Sequence, residues 1–140
     1  MKLVAYIDGS CMGNPGESGF GVVLQDEHKN ILASLGKYIG HGTNNIAEYH
    51  GLLGALELAV SFQADALLVY SDSELLVKQI RGEYRIKQPH LKALHKQVFQ
   101  ILGSSSIHLT VEHIPRSQNK VADKLARNAI KTKEVLRESI

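Results

Sequence analysis

Apolar positions along this chain follow two periods, and the changes between them predict its elements. Leu3 to Ile7 is an almost wholly apolar run that stops at Asp8-Gly9, the signature of a buried strand. Gly19 to Gln25 reads as a second strand, Asp26 to Lys29 as a polar turn, and Asn30 to Ile39 as a third strand. Short connections of this kind make antiparallel hairpins, with a longer first loop over Ser10–Ser18. From Asn45 the period becomes helical: Tyr49, Leu52, Leu53, Leu56 and Val60 recur over about four turns. Ala66 to Tyr70 is a further buried strand, and Ser73 to Ile80 a helix ended by Gly82. Pro89 opens another helix that runs to about Leu102. Ile107 to Ile114 alternates as a strand. Asn119 to about Lys131 is the last helix, with Val121, Ala122, Leu125, Ala129 and Ile130 inward. Residues 132–140 either extend it or fray.

The order βββαβααβα predicts an α/β fold. Three antiparallel strands are followed by two reached through helical crossovers, and right-handed crossovers lay those two parallel to the first. A mixed five-stranded sheet flanked by helices results. Ligands of such sheets bind beyond the carboxyl ends of the parallel strands. Asp8 ends strand one and Asp72 follows strand four, so adjacent strands bring the two carboxylates together.

Composition narrows the classes. At 140 residues with 44% hydrophobic content, the chain suits one domain, 1–140, with one core. The lone Cys11 excludes an internal disulfide and fits a reducing cytoplasm. The first apolar run is too short for a signal peptide, and no segment is expected to span a membrane. The net charge of +2 conceals an asymmetry: residues 1–70 hold three Lys/Arg against seven Asp/Glu, and residues 71–140 thirteen against seven. An acidic half beside a basic half suits a protein that holds cations in one place and a polyanion in another. No zinc-spaced Cys/His cluster, P-loop or GxSxG motif occurs, and nothing marks Cys11 as an activated nucleophile.

Each acid at a candidate site has an ordinary local explanation. Asp8-Gly9 is a turn dipeptide. Asp72 suits a helix N-cap. Asn45 to Glu48 has capping-box spacing, and Asp123 can pair with Arg127 at i+4. Jointly, Asp8, Glu48, Asp72 and Asp123 fall at element ends that this topology gathers on one sheet edge. Crowded carboxylates repel unless neutralised. Hard oxygen ligands favour Mg²⁺ or Mn²⁺, and two such ions are a known arrangement for phosphodiester hydrolysis.

Four motifs in order then resemble the type 1 ribonuclease H family. The first is Tyr6 to Cys11 with Gly13-Asn14-Pro15-Gly16 and Gly19-Phe20-Gly21. The second is Thr43-Asn44-Asn45 with Ala47-Glu48. The third is Tyr70 to Ser73, and the fourth is Asn119 with Ala122 to Ala126. The resemblance covers residues 3–130. It implies the mixed sheet already read, in strand order 3-2-1-4-5 with strand 2 antiparallel. It implies that Asp8, Glu48, Asp72 and Asp123 bind two metal ions and the scissile phosphate. The implied reaction is cleavage within the RNA strand of an RNA–DNA hybrid, leaving 5′-phosphate and 3′-hydroxyl ends. It also implies that Cys11, Asn14, Asn44 and Asn45 lie at the minor groove, where a 2′-OH can be read. Thr43 and Asn119 are implied to grip a phosphate of the DNA strand.

Three departures from the commoner family pattern matter. The stretch Arg81 to Pro89 is short and lacks tryptophan, so the basic protrusion of many relatives is expected to be absent and hybrid binding to be weaker and more salt-sensitive. Lys87, Lys92 and Lys96 either compensate in part or form a solvated face. Glu74 stands where many relatives have an amide that contacts the hybrid, and a carboxylate there can accept from a 2′-OH but repels phosphate. Where many relatives hold a loop histidine, this chain reads His113-Ile114-Pro115-Arg116, resembling the short archaeal and bacterial branch. The loop role is therefore assigned to Arg116, which stays protonated and can clamp a phosphate oxygen, with His113 as the rival. Two other functions remain open at this stage: a hybrid- or double-stranded-RNA-binding module without turnover, and a DNA resolvase or exonuclease on the same sheet. Activity on double-stranded RNA is a third extension. A monomer without an obligate protein partner is expected.

Overall fold

A computed structural model describes residues 1–139. Its sheet has six strands in the order β5-β4-β1-β2-β3-β6. β1 (Lys2–Met12), β2 (Gly16–Gln25) and β3 (Ile31–Gly42) form an antiparallel meander. β4 (Ala66–Ser71) and β5 (His108–His113) continue it in parallel from β1. These five strands are the mixed sheet expected from the element order.

The sixth strand is a correction. The sequence pattern predicts that residues 132–140 extend the last helix or fray. Instead β6 (Val135–Ser139) pairs antiparallel with β3, Lys37 opposite Val135 and Ala33 opposite Ser139. The last helix ends at Thr132, and Lys133, in the left-handed conformation with φ 54°, turns the chain back. β3 otherwise presents an unpaired edge of N–H and C=O groups, and β6 satisfies them. Residue 140 lies outside the described residues.

The first hairpin is also longer than expected. Ser10–Ser18 is not a loop: pairing continues to Met12 opposite Glu17, leaving a tight turn at Gly13 to Pro15.

Helices cover both faces. α1 (Asn44–Ser61) lies between the sheet and α3 (Pro89–Ser104), and so is buried nearly all round; Tyr49, Leu52 and Leu56 are at most 1% exposed. α2 (Glu74–Ile80) packs beside β5. α4 (Lys120–Thr132) lies on the opposite face against β2 and β3. It can do so because Gly21 has no side chain: a Cβ there would stand 2.1 Å from the Ala122 carbonyl oxygen. Ala122, Ala126 and Ala129 present a flat seam to the strands. Val121, expected inward, is 63% exposed at the start of this helix. No helix among the described residues is long and apolar enough to cross a membrane.

Candidate active site

The parallel register positions the first two acids. Ile7 of β1 lies opposite Ser71, the last residue of β4, so Asp8, still paired within the sheet, and Asp72, just past the end of β4, lie side by side. Glu48 reaches them from α1 because Gly9 lets the helix approach: a Cβ on Gly9 would stand 2.4 Å from the Glu48 nitrogen. Carboxylate oxygens of Asp8, Glu48 and Asp72 all lie within 4.8 Å of one another. Asp123 comes from the other face of the sheet, on α4, lines the same cleft and raises the pKa of the Asp8 carboxyl by its proximity. Asp8 therefore belongs to the trio and also feels the fourth acid.

The structure separates the local explanations. Thr43, not Asn45, caps α1, accepting from the Ile46 N–H at 3.2 Å. Ser73, not Asp72, caps α2, accepting from Leu76 N–H at 3.2 Å. Glu48 and Asp72 are thus left free of capping duty. The Asp123–Arg127 pair does form, at 3.1 Å.

Electrostatics mark the acids as strained when no cation is present. Burial, the Asp72 charge and the Asp123 carboxyl push Asp8 from 3.8 up to about 8. Burial, Asp8 and Asp72 hold Glu48 well above the usual carboxylate range. Glu48 Oε2 is buried without a hydrogen-bond partner. An orphaned carboxylate oxygen facing two more acids fits a hard divalent ion, which neutralises the charges and fills the missing contact.

A cleft of about 340 Å³ contains these groups. Asp8, Glu48, Asp72 and Asp123 line it, with Cys11, Asn44 and Asn45 on one side. Arg116, from the single 3-10 turn Arg116–Gln118, lines it too, whereas His113 does not. Asn14 sits at the exposed hairpin tip and binds the Asn44 N–H through its side-chain oxygen at 3.1 Å, so hairpin and helix start form one surface. The Cys11 thiol donates to the Gly42 carbonyl at 3.4 Å. Glu74 is exposed outside the cleft and paired with Lys78 at 3.1 Å. Asn119 is 1% exposed; its amide donates to the Ile7 carbonyl at 2.7 Å and to Asp72 Oδ2 at 3.2 Å. Sequence reasoning saw Arg127 only as a salt-bridge partner, yet it lines the cleft. Its i+4 spacing from Asp123 on a helix whose start faces the sheet edge was the available signal. Gly9 was read as a turn residue, and the close approach it permits has no local signature.

A family model described as reverse transcriptase-like matches residues 6–129. The bifunctional protein Rv2228c of Mycobacterium tuberculosis is 41% identical over 131 residues, covering 93% of this chain. The chain spans about a third of that relative's length (36%). The crystal structure of RNase H1 from Halobacterium salinarum matches with a TM-score of 0.89 at 36% identity, over 94% of this chain and 99% of that one. LC11-RNase H1, solved in complex with an RNA/DNA hybrid, matches with a TM-score of 0.89 at 39% identity, over 94% and 98%. On sequence and fold together, this chain belongs to the ribonuclease H family, alongside the short type 1 members of archaea and bacteria.

Proposed function

We infer that this protein hydrolyses the RNA strand of RNA–DNA hybrids, leaving 5′-phosphate and 3′-hydroxyl ends. The observation that carries the reading is the convergence of Asp8, Glu48 and Asp72 within 4.8 Å, with Asp123 beside Asp8. These four residues would hold two divalent cations, Mg²⁺ or Mn²⁺. Bound there, the ions would supply Lewis acidity for activating water and stabilising the leaving oxygen. Asp8 is placed to serve both ions, since it belongs to the trio and feels the Asp123 carboxylate as well. Arg116 clamps a phosphate oxygen at the rim and, being always protonated, contributes charge rather than proton transfer. The hybrid bound by LC11-RNase H1 supports the same substrate class here.

Substrate discrimination falls to the surface that joins the hairpin tip to α1. Asn14, Asn44, Asn45 and Cys11 present groups that can donate to or accept from a 2′-OH. Thr43, at the cap of α1, adjoins this surface and is assigned to a DNA-strand phosphate. Burial of Asn119 and its bonds to Ile7 and Asp72 favour a role in holding the site together over direct phosphate contact. Glu74, paired with Lys78 away from the cleft, has the weakest support as a substrate contact. The domain is assigned as one unit over residues 1–140, acting as a monomer in the cytoplasm.

Cleavage of matched hybrid, RNA duplex and DNA duplex, each in Mg²⁺ and in Mn²⁺, tests the proposal. Internal cuts in the hybrid's RNA strand are expected, with RNA duplex a secondary substrate. Cleavage of DNA with hybrid untouched would assign a resolvase or exonuclease instead. Hybrid binding without turnover in either ion would leave only a binding module.

A further inference from the structure

The four carboxylates are not in equivalent states. Asp8, Glu48 and Asp72 converge, while Asp123 stands outside that trio. Among the described residues, Asp123 is the one of the four with a cationic partner, one helical turn away. Arg127 Nε lies 3.2 Å from Asp123 Oδ1 and 3.1 Å from Oδ2, so both carboxylate oxygens face the same guanidinium. Both residues line the cleft, and the Arg127 side chain is 62% exposed against 30% for Asp123. An oxygen engaged by a guanidinium is a poor ligand for a second cation until that donor leaves, and the nearby positive charge repels the incoming ion.

We propose that Arg127 is a positioning residue that keeps Asp123 in reserve. Without substrate, Arg127 ion-pairs the carboxylate and withholds it from a divalent ion. A phosphodiester entering the cleft offers the guanidinium competing oxygens in a geometry that it binds well, and the Asp123 carboxylate, already beside Asp8, is freed to ligate a cation. An exposed i,i+4 pair is weak, which suits a contact exchanged in each turnover. An exposed side chain also swings without disturbing the core. The inference rests on the reading of these acids as a cation site.

Mn²⁺ titration of the substrate-free protein, following free Mn²⁺ by electron paramagnetic resonance, tests this role without reference to activity. Wild type, Arg127→Ala, Arg127→Lys and Asp8→Asn are compared, with Tm measured for each. In Arg127→Ala the weaker Mn²⁺ site tightens by about two- to fivefold, the size expected from losing an exposed ion pair. Arg127→Lys, which keeps the charge, stays near wild type. A pair serving only the helix would shift Tm slightly and leave Mn²⁺ affinity alone. Unchanged or weaker Mn²⁺ binding in folded Arg127→Ala overturns the reserve role. Asp8→Asn separates the cation site itself from the role of Arg127. If it retains wild-type Mn²⁺ affinity, the cation site itself is wrong. If it loses Mn²⁺ while Arg127→Ala changes nothing, only the role of Arg127 falls.

Discussion

Asn119 donates a side-chain hydrogen bond to the backbone carbonyl of Ile7 at 2.7 Å, across 112 positions of sequence. The bond ties the start of α4 to the middle of β1, the two elements that carry Asp123 and Asp8. The same amide reaches Asp72 at 3.2 Å. One buried side chain thus links the supports of three of the four acids. Asn119→Ala leaves the Ile7 carbonyl without its partner, and the loss should be about 1–3 kcal/mol of stability. Denaturant unfolding measures it. Cleavage should fall more than stability predicts, because Asp72 also loses its tether.

The raised acids make a signed pH prediction for the protein in chelator. Asp8 titrates near 8 when folded and near 3.8 as a free side chain, and Glu48 shifts in the same direction. Between those values the folded state holds more protons than the unfolded chain, so stability falls as pH rises from about 4 to about 8. Tm in EDTA should decline over that window. Divalent cations should restore it at the alkaline end, and Asp8→Asn should flatten the decline. A Tm in EDTA that rises steadily from pH 4 to 8 would contradict the crowding of these carboxyls.

Gly9 tests how closely α1 must approach β1. Gly9→Ala places a methyl 2.4 Å from the Glu48 nitrogen and 2.5 Å from the Ala47 carbonyl carbon, both backbone atoms that cannot rotate away. The helix start must shift. The expected effect is about 1–3 kcal/mol of destabilisation, with cleavage lost as Glu48 leaves the trio. Chemical denaturation and an activity assay on the folded fraction distinguish the two parts.

Arg116 lines the cleft and His113 does not. Arg116→Ala should slow hybrid cleavage roughly tenfold to a hundredfold, the scale of one charge-assisted hydrogen bond. His113→Ala should leave the rate close to wild type. The opposite ranking would move the loop role to the histidine.

Much of this was legible in the sequence because the decisive signals are local or periodic. The apolar runs ending at Asp8 and just before Asp72 fix strands, and right-handed crossovers fix their parallel pairing. β6 was not legible. Val135–Ser139 is largely exposed, with only Leu136 half-buried, so its pattern points to no core. Its strand conformation comes from the open edge of β3, a tertiary cause. The first hairpin was underestimated for a related reason: Ser10 to Ser18 is mostly small and polar, and cross-strand pairing rather than apolar alternation extends it. Local spacing also could not distinguish a capping box at Asn45–Glu48 from a metal ligand. The structure removes the first reading by giving the cap to Thr43, which leaves Glu48 free to join the acidic cluster.

The central claim is that the acids act together as a cation site for hydrolysis, and Asp8, which adjoins the other three, is the residue on which it turns. Hybrid cleavage and hybrid binding by Asp8→Asn, measured side by side in Mg²⁺, test it most directly. The account predicts that cleavage is abolished while binding is kept or strengthened, since a negative charge beside the phosphate has been removed. Cleavage at the wild-type rate by this variant would contradict it.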